Sequence, residues 1–139
     1  KDPKAAAELF GEARSLDPDS PLLPFNQGSS RYQAGDFERS LEAAEDAQQK
    51  AEALNQPELF AASAYNRGAA LQKLGKPEEA ARAYLEGLRK AESAKLTELA
   101  KKLRKKLEQA QNSSGSSQEN SKDQRPSEGQ KNKDPQGQQ

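Results

Sequence analysis

Residues 63–84 read SAYNRGAALQKLGKPEEAARAY, and residues 24–44 read PFNQGSSRYQAGDFERSLEAA. In both stretches an aromatic residue precedes an Asn, a Gly follows that Asn by two positions, and a second Gly follows the first by seven. A sequence that repeats at a fixed period is typical of solenoid proteins, in which one structural unit stacks on the next. This repetition decides the fold class before any single helix is considered.

Each stretch predicts a helix–turn–helix unit. Gly35 and Gly75 stand where a helix ends in a left-handed residue, a conformation that glycine adopts without steric cost. Asp36 is suited to cap the next helix, and Pro77 to occupy a first helical turn. Small residues and aromatics then recur at helical spacing in the second half of each unit.

A third, incomplete copy stands at the start of the chain. Residues 2–6 read DPKAA and resemble KPEEA at residues 76–80. Phe10, Ala13 and Pro18 continue the pattern. We therefore expect the chain to begin at the turn inside a repeat.

Composition favours an all-α fold. Charged residues make up 32% of the chain and hydrophobic residues another 32%, and neither Val nor Ile occurs. Strands prefer β-branched and aromatic side chains, whereas Ala, Leu, Glu, Lys, Gln and Arg, which dominate here, are strong helix formers. We therefore predict no sheet.

The repeated units resemble tetratricopeptide (TPR) repeats, in which small residues stand where two helices touch and a Pro follows the second helix. Gly28 and Gly68 match the small residue of the first helix, and Tyr84 matches an aromatic residue of the second. Ala44 departs from that aromatic position, and Pro18 alone matches the Pro after the second helix.

The resemblance covers residues 2–91 and implies a TPR-type α-solenoid of antiparallel helix pairs. Residues 112–139 contain no aromatic or aliphatic side chain. Because such a segment buries too little surface to offset the entropy of ordering it, we expect disorder there. The predicted domain of residues 1–110 holds about two and a half repeats and a cap. Its parts are a half repeat at 2–18, repeats at 21–54 and 57–91, and a capping helix at 94–110, followed by a disordered Gln-, Ser- and Lys-rich tail at 111–139.

The sequence argues against most catalytic and metal chemistry. It contains no His and no Cys, which rules out Ser–His and Cys–His catalytic pairs and the usual zinc sites. No Gly-rich phosphate loop follows a strand, because no strand is expected. We predict that the protein is not an enzyme, with no catalytic residue, no metal site and no cofactor.

A binding surface remains, because the first helices of stacked units line the concave side of a solenoid. By family resemblance, Asn26 and Asn66 match the groove Asn that binds a ligand's backbone, or a C-terminal carboxylate in co-chaperones; alternatively, each ties one repeat to the next. The aromatic positions serve either packing or binding. The cations expected in the groove are Lys73 and Arg67. Because a carboxylate clamp needs several cations, these two are too few for one. The positions predicted to face the groove are Leu22, Phe25, Asn26, Ser29, Tyr32, Gln33, Ala62, Tyr65, Asn66, Ala69, Gln72 and Lys73.

The helix predicted at residues 94–110 is basic and amphipathic. It carries six basic and two acidic side chains, whereas residues 1–60 carry six basic and twelve acidic ones. We expect it to cap the last repeat with a polar outer side. A helix of this kind can instead bind an anionic membrane or a nucleic acid. Its leucines Leu96, Leu99, Leu103 and Leu107 share one face, and Lys101, Lys102, Lys105 and Lys106 lie mostly on others.

The repeat spacing narrows the resemblance. Gly28 and Gly68 are 40 residues apart, whereas TPR repeats recur about every 34 residues. The extra residues fall within residues 48–60, and the chain ends in a Gln-rich tail. Both features are similar to the TPR proteins of bacterial aerotolerance (Bat) operons, which also encode von Willebrand A-domain proteins. The resemblance implies a protein–protein interaction scaffold of the bacterial cell envelope or periplasm, with a von Willebrand A-domain protein as its partner.

Two other functions stay open at this point. The chain can be the terminal part of a longer TPR array used for self-assembly, or a membrane- or nucleic-acid-binding module that uses the basic helix. A cytoplasmic location is the alternative to the envelope. On the scaffold interpretation we expect no nucleic-acid partner and no membrane span within this chain.

Overall fold

Six α-helices form the part of the chain that a computed structural model describes, residues 2–124. No strand occurs within these residues, so the all-α prediction is confirmed. Each helix packs against the next one along the chain, as expected of an α-solenoid. The helices are α1 (Pro3–Leu16), α2 (Leu22–Gln33), α3 (Phe37–Ala53), α4 (Pro57–Lys73), α5 (Pro77–Ser93) and α6 (Thr97–Gln124).

Four helix-ending turns repeat the same backbone geometry. Gly35, Asn55, Gly75 and Lys95 each follow a helix with a positive φ, between 54° and 85°. The next residue's N–H then bonds to a carbonyl five positions back, at 2.8 or 2.9 Å in all four turns. This is the Schellman pattern, and it confirms the two predicted left-handed glycines. The 40-residue period of the sequence is therefore made of two units, each a helix plus a turn, of equal length.

Capping residues and prolines fix where the helices begin. The Asp36 carboxylate accepts a hydrogen bond from the N–H of Arg39 at 3.3 Å, which confirms Asp36 as the N-cap of α3. Pro3, Pro57 and Pro77 each occupy the first turn of a helix. A proline is favourable there because its missing N–H has no partner within the helix in any case.

The helices form an inner and an outer layer. Helix α4 contacts both α2 and α6, whereas within the described residues α1, α3 and α5 make no direct backbone contact with one another. Long side chains bridge the outer layer instead. Arg14 of α1 donates to Asp46 of α3, and Lys90 of α5 donates to Glu52 of α3 at 3.0 Å. Because the inner helices approach more closely than the outer ones, the inner layer is the concave side.

The hydrophobic core is largest where α4, α5 and α6 meet. Tyr84 and Leu103 are completely buried there. Small residues let α4 and α5 touch, since a Cβ atom added to Gly87 would lie only 2.8 Å from the Cβ of Ala64. The partly buried leucines that cover this core are Leu96, directly before α6, and Leu99 and Leu107 within it.

Helix α6 continues past the boundary expected at residue 110. Residues 111–124, up to the last described residue, are helical where the sequence predicted disorder. Ala110 is the last fully buried side chain described. Adding a residue to an existing helix gains a hydrogen bond without the cost of nucleation, so the helix can extend without further burial. The rest of the predicted tail, residues 125–139, lies outside the described residues.

Candidate functional site

An open groove of about 500 Å³ lies on the inner layer, between α2, α4 and α6. Its aromatic side chains come from α2 and α4, and its lysines come from α6. No Asp or Glu is among the described side chains that line it. The lining residues of this inner groove are Phe25, Ala62, Tyr65, Asn66, Leu99, Lys102, Lys105, Lys106 and Gln109.

A chain of hydrogen bonds orients the Asn66 amide. The Ser29 hydroxyl donates to the carbonyl oxygen of Phe25 at 3.2 Å, so the Ser29 oxygen is left to accept. Asn66 Nδ2 donates to that oxygen at 3.2 Å. The carbonyl oxygen Oδ1 of Asn66 makes no hydrogen bond within the described residues, and it can accept an N–H from a bound peptide. Asn66 thus ties one repeat to the other and also lines the groove.

Tyr65 belongs both to the core and to the groove. Its ring packs edge-on against that of the buried Tyr84, with 6.0 Å between the ring centres. On the groove side, Lys106 Nζ lies 5.9 Å from the centre of the Tyr65 ring, within the range of a cation–π interaction. The two alternatives for this aromatic position, packing and binding, therefore do not exclude each other.

Three lysines of α6 give the groove its charge. Lys102, Lys105 and Lys106 follow the spacing i, i+3 and i+4, which places them on one face of the helix. In the described part of the chain none of them is paired with a carboxylate. A neighbouring cation on α6 is paired, since Arg104 donates to Glu92 of α5 at 2.7 Å. The positive charge of α6 therefore remains uncompensated where the helix faces the groove.

The structure brings only some of the predicted positions together. Ser29 does not line the inner groove, but it is hydrogen-bonded to Asn66, which does. Leu22 and Gln33 are exposed, and Asn26 and Ala69 are half-buried. Asn26 makes no side-chain hydrogen bond to any of the side chains or backbone groups described, unlike its counterpart Asn66. The predicted positions that line the inner groove are Phe25, Ala62, Tyr65 and Asn66.

The other three predicted positions contact residues outside the inner groove. The Tyr32 ring packs edge-on against Phe37, with 5.2 Å between the centres. Lys73 Nζ lies 5.9 Å above that same Phe37 ring. Gln72 Oε1 accepts a 2.6 Å hydrogen bond from the hydroxyl of Tyr84. The Tyr32–Phe37 and Gln72–Tyr84 contacts join the two helices of one repeat, whereas the Lys73–Phe37 contact joins the second repeat to the first.

Sequence reasoning missed the contribution of α6 to the groove. The predicted groove positions did not include Lys102, Lys105, Lys106, Leu99 or Gln109, because the helix was expected to be a cap or a separate membrane- or nucleic-acid-binding element. A signal was present in the sequence: a helix that follows two complete repeats takes the place of the next first helix, and first helices line the concave side.

A second groove, of about 1220 Å³, lies on the outer layer between α3 and α5. Its polar side chains bond to one another. Gln48 Nε2 donates to Glu86 at 2.9 Å, and Arg67 donates to the same carboxylate at 3.1 Å. Arg67 also lies 3.7 Å from Glu45, so this expected groove cation belongs to the outer layer instead. Since Gln48, Arg67 and Glu86 already contact one another in the outer groove, whereas the lysines of the inner groove have no described carboxylate partner, the inner groove is the better candidate for a binding site.

No protein-family model matches this chain, and no curated protein matches it at a significant level. Among the side chains that the structure describes, no cluster of three or more acidic groups is placed to hold a metal ion. None of the helices described is both long and apolar enough to cross a membrane. The inner groove combines an open concave shape with three lysines that have no carboxylate partner among the described residues.

Proposed function

We propose that this chain is a non-catalytic TPR-type scaffold that binds an extended segment of a partner protein in the inner groove. One observation carries the proposal: an amide oxygen with no described hydrogen-bond partner, two aromatic rings and three lysines with no described carboxylate partner meet on a single concave surface. Small molecules bind in cavities that cover most of their surface. An open groove along several helices is better suited to a chain segment.

The packing of the repeats supports the TPR-type assignment. Small residues stand where two helices of one repeat meet, as at Gly68, where an added Cβ would lie 2.4 Å from the Tyr84 ring. Helix–turn–helix units follow one another with the same turn geometry. In such an array, first helices line a concave surface and second helices form the convex one.

The groove recognises the partner's main chain and one of its side chains. Asn66 Oδ1 accepts a backbone N–H, an interaction that any peptide sequence offers. Phe25 and Tyr65 receive an apolar side chain of the segment, because their half-buried rings are the largest apolar surfaces in the groove. Main-chain contacts supply affinity and the side-chain contact supplies selectivity.

The partner we propose is a von Willebrand A-domain protein in a complex of the bacterial cell envelope. This part of the proposal rests on the resemblance of the repeat spacing and the Gln-rich tail to the TPR proteins of Bat operons.

Two equivalent substitutions test the groove. The full chain serves as bait in a bacterial envelope extract, and mass spectrometry identifies the protein it captures. Asn66→Ala removes the free acceptor and should weaken capture about two- to tenfold, the effect of one lost hydrogen bond. Asn26→Ala is the matched control, because it makes the same change at the same repeat position away from the groove lining.

Circular dichroism establishes that both variants remain folded. Direct titration with the captured protein then gives the two affinities. The proposal is wrong if Asn66→Ala binds as tightly as wild type, or if deleting residues 112–139 alone abolishes capture. The second result would assign the interaction to the C-terminal segment.

A further inference from the structure

We propose that the inner groove selects an acidic segment, in which Asp or Glu side chains flank one aromatic or aliphatic residue. The proposal rests on the proposed function, because it names the chemistry of the segment that the groove would bind. The segment's side-chain carboxylates contact the lysines of α6, and its apolar residue contacts the rings of α2 and α4. In this proposal α6 both caps the solenoid and supplies the lysines that select the partner.

The first reason to expect an acidic segment is the positive charge of the groove. Lys102, Lys105 and Lys106 line it, and no described carboxylate either lines it or pairs with them. Like charges at i, i+3 and i, i+4 spacing destabilise a helix by a small amount each. A carboxylate placed among these three ammonium groups removes that repulsion and forms charge-assisted hydrogen bonds. Charge complementarity therefore favours an acidic ligand over a neutral or basic one.

The positions of the lysines relative to the aromatic rings indicate where the carboxylates lie in the bound segment. Lys106 Nζ lies 5.9 Å from the centre of the Tyr65 ring, and Leu99 stands on the same groove wall. An apolar side chain seated on Tyr65 thus brings its sequence neighbours next to Lys106. This places the carboxylates at positions close to the anchor residue in the segment.

The shape of the surface favours a peptide over a membrane. A basic amphipathic helix that lies on a bilayer inserts its apolar face into the lipid. In α6, however, Leu103 is completely buried, and Leu99 and Leu107 pack against the protein core together with Leu96, directly before the helix. The lysines instead border a concave groove, which a flat bilayer cannot fill.

The test uses a displayed library of random short peptides, fused at both ends so that no peptide has a free C-terminus. The library is selected on the full chain, and selected peptides are labelled and titrated by fluorescence anisotropy. We expect enrichment of Asp and Glu around an aromatic or aliphatic residue. Replacing Lys102, Lys105 and Lys106 with Gln should weaken these peptides about tenfold, the sum of several exposed ion pairs.

A matched variant controls for net charge. Replacing Lys4, Lys76 and Lys101 with Gln removes the same charge from exposed positions outside the groove lining, and binding should stay within about twofold of wild type. Raising the salt concentration should weaken wild type more than the triple variant of the groove lysines, because screening acts on the ion pairs that the variant lacks.

The outcomes separate this inference from the proposed function. Selected peptides that lose affinity for Asn66→Ala but carry no excess of Asp or Glu overturn the acidic segment and leave the groove as the binding site. Both the inference and the proposed function are overturned if the selected peptides bind Asn66→Ala as tightly as wild type, or if the library gives no binder. Tight binding to phosphatidylserine vesicles that requires the three groove lysines, without any lysine-dependent peptide, overturns the inference in favour of a membrane surface.

Discussion

Gly68 of α4 lies directly against the ring of Tyr84 of α5, so closely that a Cβ atom on Gly68 would stand 2.4 Å from Cε1 of the ring. Tyr84 has no room to retreat, because it is completely buried and its hydroxyl donates a 2.6 Å hydrogen bond to Gln72. At the equivalent place in the preceding repeat, a Cβ on Gly28 would meet the Cβ of Ala43 at 3.3 Å. The two glycines share a sequence position but differ in the space around them.

Gly68→Ala should therefore lower the free energy of unfolding by about 1–3 kcal/mol, since the added methyl group overpacks the α4–α5 contact. Gly28→Ala should be close to neutral, because the gain in helix propensity of about 1 kcal/mol offsets a small compression. Urea unfolding followed by circular dichroism measures both. Equal effects of the two substitutions would mean that the register of α4 on α5 is wrong.

Burial raises the pKa of the Tyr84 phenol well above its ordinary value, and the neighbouring Tyr65 and Tyr32 add to this effect. The unfolded phenol ionises near its ordinary pKa of about 10, so above that pH the unfolded state releases a proton that the folded state keeps. The free energy of unfolding should therefore be unaffected by this phenol below about pH 10. Above that pH it should fall by up to about 1.4 kcal/mol per pH unit.

Tyr84→Phe provides the reference for this pH dependence. The variant loses the hydrogen bond to Gln72, which should cost about 0.5–1.5 kcal/mol at neutral pH. Its stability should then decline less steeply above about pH 10, since no buried phenol remains to ionise. Chemical unfolding at several alkaline pH values measures the two slopes. Identical slopes would show that Tyr84 does not govern alkaline unfolding.

Lys95 ends α5 with a φ of 60°, a left-handed conformation that is costly for a residue with a Cβ atom. Lys95→Gly should raise the free energy of unfolding by about 1 kcal/mol, because glycine adopts this conformation without the steric cost. Thermal melting measures the change. The lysine forms no ion pair within the described residues, so little is lost in exchange.

Gly75→Ala makes the reverse change in the turn after α4, because it adds a Cβ atom at a residue with positive φ. Gly75 has a φ of 77°, and apart from the glycine and its two chain neighbours no heavy atom lies within 4 Å of the place where its Cβ would stand. The alanine should therefore lower stability by about 1 kcal/mol through backbone strain alone. A destabilising Lys95→Gly together with a neutral Gly75→Ala would contradict the shared turn geometry.

Asn26 and Asn66 show the limit of repeat matching as a guide to the site. The two residues occupy equivalent positions, and their local sequences predict the same role. Asn66 reaches Ser29 on the preceding inner helix and faces α6 across the groove. For Asn26, the described chain offers only α1 before α2, and α1 belongs to the outer layer. A residue that acts between repeats depends on neighbours that its own repeat does not encode.

The sequence by itself determined the all-α class, the ends of α2 and α4 at Gly35 and Gly75 and the start of α3 at Asp36, because such features depend on composition or on interactions within a few residues. Glycine at positive φ, the Asp36 cap, the first-turn prolines and the absence of Val and Ile are local signals of this kind. Only the tertiary structure decided which side chains share the inner groove. Leucine burial against the core fixes the rotation of α6, and that rotation turns Lys102, Lys105 and Lys106 toward Tyr65 of α4. Such an orientation follows from packing between helices distant in sequence, which no local pattern specifies.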